Sequence, residues 1–287
     1  TSDSETRVTD PVSGRHDAVA RPYRVSPTPL VGSIAVLVYI VVVFGLQLSS
    51  GIPYAEWTST TAHTVRAAVI PLAVGSVLLI AFLAYARWDI VWHDPERLKT
   101  TTAMKIAMGL FIVLVVIRLV GVDYASVGVA LVLVVVLTGV LVGFAEEALF
   151  RGIFLRCMRT GGRTEAHAAL WTAVAFGLFH LPNLIVGSGI GQLAQVVLAG
   201  ISGVTLYLFR RNRGLILVAM IAHGIWDIST FLSGSHGADW AALLSFAIFP
   251  IGVIAAVVAL VSVWRTDRHT VVTPAGIEYR AADPHAP

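Results

Sequence analysis

Charge is what this sequence has least of. Asp, Glu, Lys and Arg make up 13% of its 287 residues, where a soluble globular domain carries about 25%. With 56% hydrophobic residues and a mean hydropathy of +0.81, a water-facing chain of this size would expose large apolar patches. An ordinary soluble enzyme, a disordered chain and a nucleic-acid binder are excluded on that ground, and lipid must solvate most of the chain. Cysteine is nearly absent: the lone Cys157 excludes a disulfide framework and a cysteine-based zinc site within one chain. No HExxH sequence occurs, so the helical zinc-protease motif is missing. No secretory-signal pattern opens the chain, since the first apolar run begins only near Leu30. A formal charge of +3 remains, and its meaning depends on where the basic residues fall.

A helix needs about 20 apolar residues to cross the hydrocarbon core. Eight runs qualify as predicted spans: Leu30–Leu48, Val65–Tyr85, Ala103–Val120, Ser126–Phe150, Ala168–Leu181, Ile190–Phe209, Leu215–Leu232 and Trp240–Trp264. Unpaired backbone cannot face lipid, so each is read as helix despite its many valines. The expected fold is all-α, a polytopic membrane helix bundle. Basic residues gather in alternate connections: Arg87, Arg97 and Lys99; Arg156, Arg159 and Arg163; Arg210, Arg211 and Arg213. Arg21 and Arg24 precede the first span, and Arg265, Arg268 and Arg280 follow the last. The intervening loops, 49–63, 121–125, 182–189 and 233–239, contain neither Lys nor Arg. By the positive-inside rule both termini lie in the cytoplasm. Residues 1–29 and 265–287 read as disordered cytoplasmic tails around a membrane domain of residues 30–264. The Gly187-Ser188-Gly189-Ile190-Gly191 stretch reads as an external turn, since no strand precedes it as a phosphate cradle requires.

Ionisable residues inside the spans are costly in lipid and mark sites. The fourth span carries Glu146, Glu147 and Arg151. Glu147 and Arg151 are four apart on one helical face, in the favourable order for an ion pair. Glu146 is offset by about 100° and lacks that partner, so it is the carboxylate left for general-base work. The fifth span offers Phe176 and His180, and the seventh His223 and Asp227, each pair four apart. Pro182 is expected to end the fifth helix just past His180. Arg118 and Asp123, near the outer end of the third span, are expected to snorkel or pair. The remaining histidines (His16, His63, His93, His167, His236, His269 and His285) fall in loops, tails or span ends and are not read as site residues.

Glu146-Glu147-x-x-x-Arg151, Phe176-x-x-x-His180 and His223-x-x-x-Asp227, in order on three spans, resemble the CAAX-protease and bacteriocin-processing family of intramembrane proteases. The resemblance covers residues 126–230. It implies that Glu146 activates the hydrolytic water with His180 assisting, that Glu147 and Arg151 support them, and that His223 and position 227 stabilise the oxyanion. Family members carry Asn or Asp at that last position. An ionised Asp accepts hydrogen bonds and cannot donate one to an oxyanion. Asp227 is therefore protonated, or orients His223, or ligates a metal. A divalent metal such as zinc, held by His180, His223, Asp227 and Glu146, stands beside a metal-free glutamate mechanism, because two histidines plus a carboxylate form a known catalytic zinc set.

Glu146 lies about 20 residues, roughly 30 Å, from the outer start of its helix, and His180 about 12 residues, roughly 18 Å, from the inner start of its own. They meet if the fourth helix continues, long and tilted, through Arg151 toward Cys157. The site is then expected in the inner half of the bilayer, reached from the cytoplasm. The expected activity is endopeptidase cleavage of a membrane-anchored or membrane-delivered protein, in a prokaryotic cytoplasmic membrane and without nucleic acid. A non-proteolytic scaffold regulating another membrane protein is the alternative. A small transporter is a third, disfavoured by the lack of an inverted repeat.

Overall fold

The computed structural model describes residues 23–95, 97, 99–186, 191–273 and 276–279. Among them, eight helices are long and apolar enough to cross a membrane: α1 Pro29–Ser49, α2 Thr61–Ala86, α3 Thr102–Val120, α4 Val129–Thr160, α5 Glu165–Ile185, α6 Gln192–Arg213, α7 Ile216–His236 and α8 Asp239–Asp267. Their outer faces stay apolar. Leu37, Val41, Val77, Leu133, Phe246 and Ile254 are each more than 60% exposed, a surface that only lipid would solvate. The all-α membrane bundle is therefore the observed fold.

Local sequence explains where the spans depart from their expected limits. Gly128, at φ +78°, takes a backbone conformation a β-carbon would strain, so α4 starts at Val129 and not at Ser126. α2 widens to a π-helix over Val65–Val69, beside Pro71, which has no N–H to donate back along the helix. α4 is the long helix that the depth argument required, 32 residues in all. It too contains a π-helical stretch, Ala148–Phe154, directly after the glutamate pair. Every residue from Ala145 to Arg159 is buried, so α4 is the axis of the bundle. Cys157 is fully buried within it.

Small residues let α4 and α7 touch backbone to backbone. A β-carbon at Gly143 would lie 2.3 Å from the Met220 carbonyl oxygen, and one at Gly139 would lie 2.7 Å from that of Gly224. This close approach brings the glutamates of α4 to His223 on α7.

At the basic end, the arginines do more than mark topology. Asp94, in the connection between α2 and α3, accepts from Arg159 at 2.7 Å, from Arg210 at 2.9 Å and from Arg211. Glu165 takes the Arg159 guanidinium through two bonds, 2.9 and 2.7 Å, and accepts from the Tyr207 hydroxyl at 2.7 Å. All these arginines are buried. Arg210 also donates to the Val91 and Arg151 carbonyls, which ties this network to the glutamate segment of α4. Burial alone would raise the Asp94 carboxyl, but the three guanidinium groups hold it far below the usual carboxylate range.

Parts of both expected tails, residues 23–29 and 265–273 with 276–279, belong to the described structure. Val25 and Pro27, inside the expected tail 1–29, are packed, and the Trp88 indole donates to the Val25 carbonyl at 2.8 Å. The tail 265–287 contributes the end of α8 and a two-stranded antiparallel hairpin, β1 Thr270–Thr273 with β2 Gly276–Tyr279. Val272, buried in that hairpin, supplies the apolar contact that a disordered tail would lack. Residues 1–22 and 280–287, and the glycine stretch over residues 187–190, lie outside the described residues.

Candidate active site

Glu146, Phe176, His180, His223 and Asp227, from α4, α5 and α7, line one cavity of about 490 Å³. Glu147 and Arg151 are fully buried behind it. The Arg151 guanidinium donates to Glu147 Oε1 at 2.7 Å and to the Gly203 carbonyl at 2.9 Å, and it lies 4.3 Å from the Phe176 ring. The helix-face reading of Glu147 with Arg151 therefore matches the ion pair observed.

The same Glu147 oxygen accepts from His223 Nδ1 at 2.8 Å. A carboxylate only accepts, so His223 carries a proton on Nδ1 and turns Nε2 to the cavity. That Nε2 lies 3.8 Å from both Glu146 Oε2 and Asp227 Oδ2, beyond a direct hydrogen bond. Asp227 thus flanks His223 without gripping it. Glu146 Oε2 is buried and has no hydrogen-bond partner among the described residues.

His180 sits in a different local structure from the one expected. The regular helix of α5 stops at Leu178, two residues before the histidine, and a tight turn leads through Pro182 into a short helical turn, Asn183–Val186. The turn does not separate the pair: His180 Nδ1 donates to the Phe176 carbonyl at 2.9 Å. Its Nε2 is left as an unprotonated acceptor. The Phe176 ring stands edge-on to both histidines, 5.1 Å from His180 and 5.6 Å from His223.

Three features were not read from sequence. Arg118, expected to snorkel or pair, lines the cavity, donates to Thr230 at 3.1 Å and lies 4.4 Å from the Trp226 ring. A hydrogen-bonded chain runs from Asn183 to Gln195 (2.9 Å) and on to the Tyr54 hydroxyl (3.4 Å). Burial pushes the Tyr54 phenol up to about 12, so it stays neutral at physiological pH. Tyr39 and Gln47, one face of α1, also line the cavity. Only an apolar run with two polar interruptions announced them.

Depth differs as well. Gln47, Tyr54, Trp57, Arg118, Asn183 and Gln195 lie at or beside the helix ends joined by loops without Lys or Arg. The cavity extends from mid-helix toward that end and away from the basic loops, on whose side the site was expected. The physical reason is that the basic end is filled by the Asp94–arginine network and the buried stretch of α4.

Among the described residues, no group of three His, Cys, Asp or Glu side chains could hold a metal ion. His180, His223, Asp227 and Glu146 share a cavity without forming a coordination sphere, so no step is derived through a metal.

Residues 128–229 match the family model described as type II CAAX prenyl endopeptidase, Rce1-like. That segment is similar to the Rce1-like family. The match spans α4 to α7, the helices that carry the three motifs, and supports a CAAX-type intramembrane endopeptidase in general. It also supports an integral membrane location and a protein substrate. No curated protein and no solved structure matches the chain. Tyr39, Gln47, Tyr54 and Arg118 all lie outside the Rce1-like segment.

Proposed function

We propose that this chain hydrolyses a peptide bond near the membrane-anchored end of a protein substrate, with Glu146 as general base. The observation that carries the reading is the convergence of Glu146, His180 and His223 on one cavity, with Glu146 Oε2 buried and unpartnered. Water adds to the scissile carbonyl while Glu146 takes its proton. His180 Nε2, held as an acceptor by the Nδ1 bond to Phe176, orients or relays that proton. Glu147 and Arg151 fix His223, and Glu146 returns the proton to the leaving amine. Asp227 acts as the electrostatic neighbour of His223 Nε2 and not as an oxyanion donor. A prenylated C-terminus, the substrate class in the family's name, suits a cavity whose walls include Phe44, Phe111, Phe179 and Phe249.

The test is a survey of protein termini in membranes of cells with and without the chain. Specific new termini, with their precursors depleted, are the expected result. Identical termini would defeat the endopeptidase reading and favour a scaffold. The reaction is further proposed to run without a metal. Cleavage in purified membranes should survive prolonged chelation at an unchanged rate, and a loss restored by added zinc would reverse that assignment.

A further inference from the structure

Peptide hydrolysis needs a hydrogen-bond donor where negative charge develops on the carbonyl oxygen. The motif residues supply acceptors more readily than donors. Glu146 and Asp227 are carboxylates, His180 Nε2 is an acceptor, His223 gives its Nδ1 proton to Glu147 and sets its Nε2 3.8 Å from both Glu146 and Asp227, and the Arg151 guanidinium is buried behind the cavity on Glu147 and Gly203. Among other cavity-lining groups, the Arg118 guanidinium donates to the Thr230 hydroxyl and lies over the Trp226 ring, the Thr138 hydroxyl donates to the Val134 carbonyl and the Trp57 indole to that of Ile52.

Tyr39 differs from all of these. It lines the cavity, is fully buried, and its hydroxyl has no hydrogen-bond partner among the described residues. A buried unpaired hydroxyl is costly and calls for an explanation. Its ring cannot easily turn away. A β-carbon at Gly75 would lie 2.7 Å from Tyr39 Cε2 and 3.1 Å from Cζ, so α2 packs flush against the ring through a glycine. On another side Phe179, next to His180, lies 6.0 Å away between ring centroids.

Resting on the endopeptidase reading above, we propose that the Tyr39 hydroxyl is an oxyanion donor of this site, a catalytic residue outside the family motifs. As the water oxygen bonds to the carbonyl carbon, the carbonyl π pair moves onto oxygen, and Tyr39 O–H donates to that oxygen without transferring its proton. Collapse of the intermediate restores the carbonyl and breaks the C–N bond, and the amine leaves with the proton that Glu146 had taken. A neutral donor on α1 supplies what Asp227 cannot when it is ionised.

The Tyr39→Phe variant keeps the ring against Gly75 and Phe179 and removes only the hydroxyl. The experiment compares four cell lines at matched expression: lacking the chain, or carrying the native chain, Glu146→Gln or Tyr39→Phe. Membrane protein termini and precursor lifetimes are scored in each, and thermal midpoints are measured on the purified proteins. Removing one oxyanion donor should lengthen precursor lifetime about 10²–10³-fold. The midpoint should stay at the native value or rise, because an unpaired buried hydroxyl has been lost. Native-like cleavage by Tyr39→Phe, with Glu146→Gln inactive, would overturn the Tyr39 assignment alone. A parallel loss of cleavage and midpoint would reassign Tyr39 to packing. Termini that do not differ between native cells and cells lacking the chain would remove the endopeptidase reading, and the Tyr39 role with it.

Discussion

Replacing Glu146 by Gln should slow cleavage about 10²–10⁴-fold, the range a positioned general base contributes. Gln keeps the volume and polarity of the side chain and cannot take a proton from water. Stability should hardly change, because Glu146 Oε2 has no partner to lose. The adjacent glutamate predicts the reverse balance. Glu147 Oε1 accepts from both Arg151 and His223, so Glu147→Gln would place an amide against two donors and leave a buried guanidinium without its carboxylate. Glu147→Gln should therefore lower the thermal midpoint together with activity, while Glu146→Gln lowers activity alone. Precursor turnover and thermal unfolding of the purified variants measure both. Cleavage by Glu146→Gln at the native rate would end its role as base, and equal loss of stability in both variants would erase the division of labour between the two carboxylates.

The Glu147–Arg151 pairing was legible in the sequence because it is local. Residues four apart share a helical face, so Glu147–Arg151 could be paired and Glu146 singled out before any tertiary contact was known. Span count and the long α4 were legible for a similar reason: hydropathy acts over consecutive residues. The partner of Asp94 was not, because its arginines lie 65 and 116 residues away and read equally well as loop charges. Nor did anything local indicate that His180 would leave its helix at Leu178 and still hold the Phe176 carbonyl. Tyr39 illustrates the same limit. In the sequence it is one aromatic residue in the apolar run of α1. It becomes a candidate only when α2, through Gly75, and Phe179 fix its ring beside a cavity to which α2 through α8 all contribute. The direction in which the cavity extends was misjudged because counting residues gives depth along a helix and says nothing about which end of the bundle is packed solid.

Asp94→Asn should destabilise the protein by roughly 3–5 kcal/mol, the cost of removing one partner from a buried charge network. Asp94 receives three guanidinium groups, and Asn would present one neutral oxygen and an amide donor facing them. Arg159 retains Glu165, and Arg210 retains the Val91 and Arg151 carbonyls, so the loss should fall mainly on the connection between α2 and α3. Because Arg210 also holds the Arg151 carbonyl, one turn from Glu147, cleavage should decline as this end loosens, though by far less than in Glu146→Gln. The pH dependence gives an independent check. With a folded-state pKa far below the unfolded value of about 3.9, the contribution of Asp94 is complete above that unfolded value. It is lost only as pH falls through the folded one. The difference in thermal midpoint between native and Asp94→Asn should accordingly be the same at about pH 5 and about pH 8. A difference that shrinks toward pH 5 would mean that the carboxyl titrates in its ordinary range, and that the three arginines do not hold it as the geometry requires.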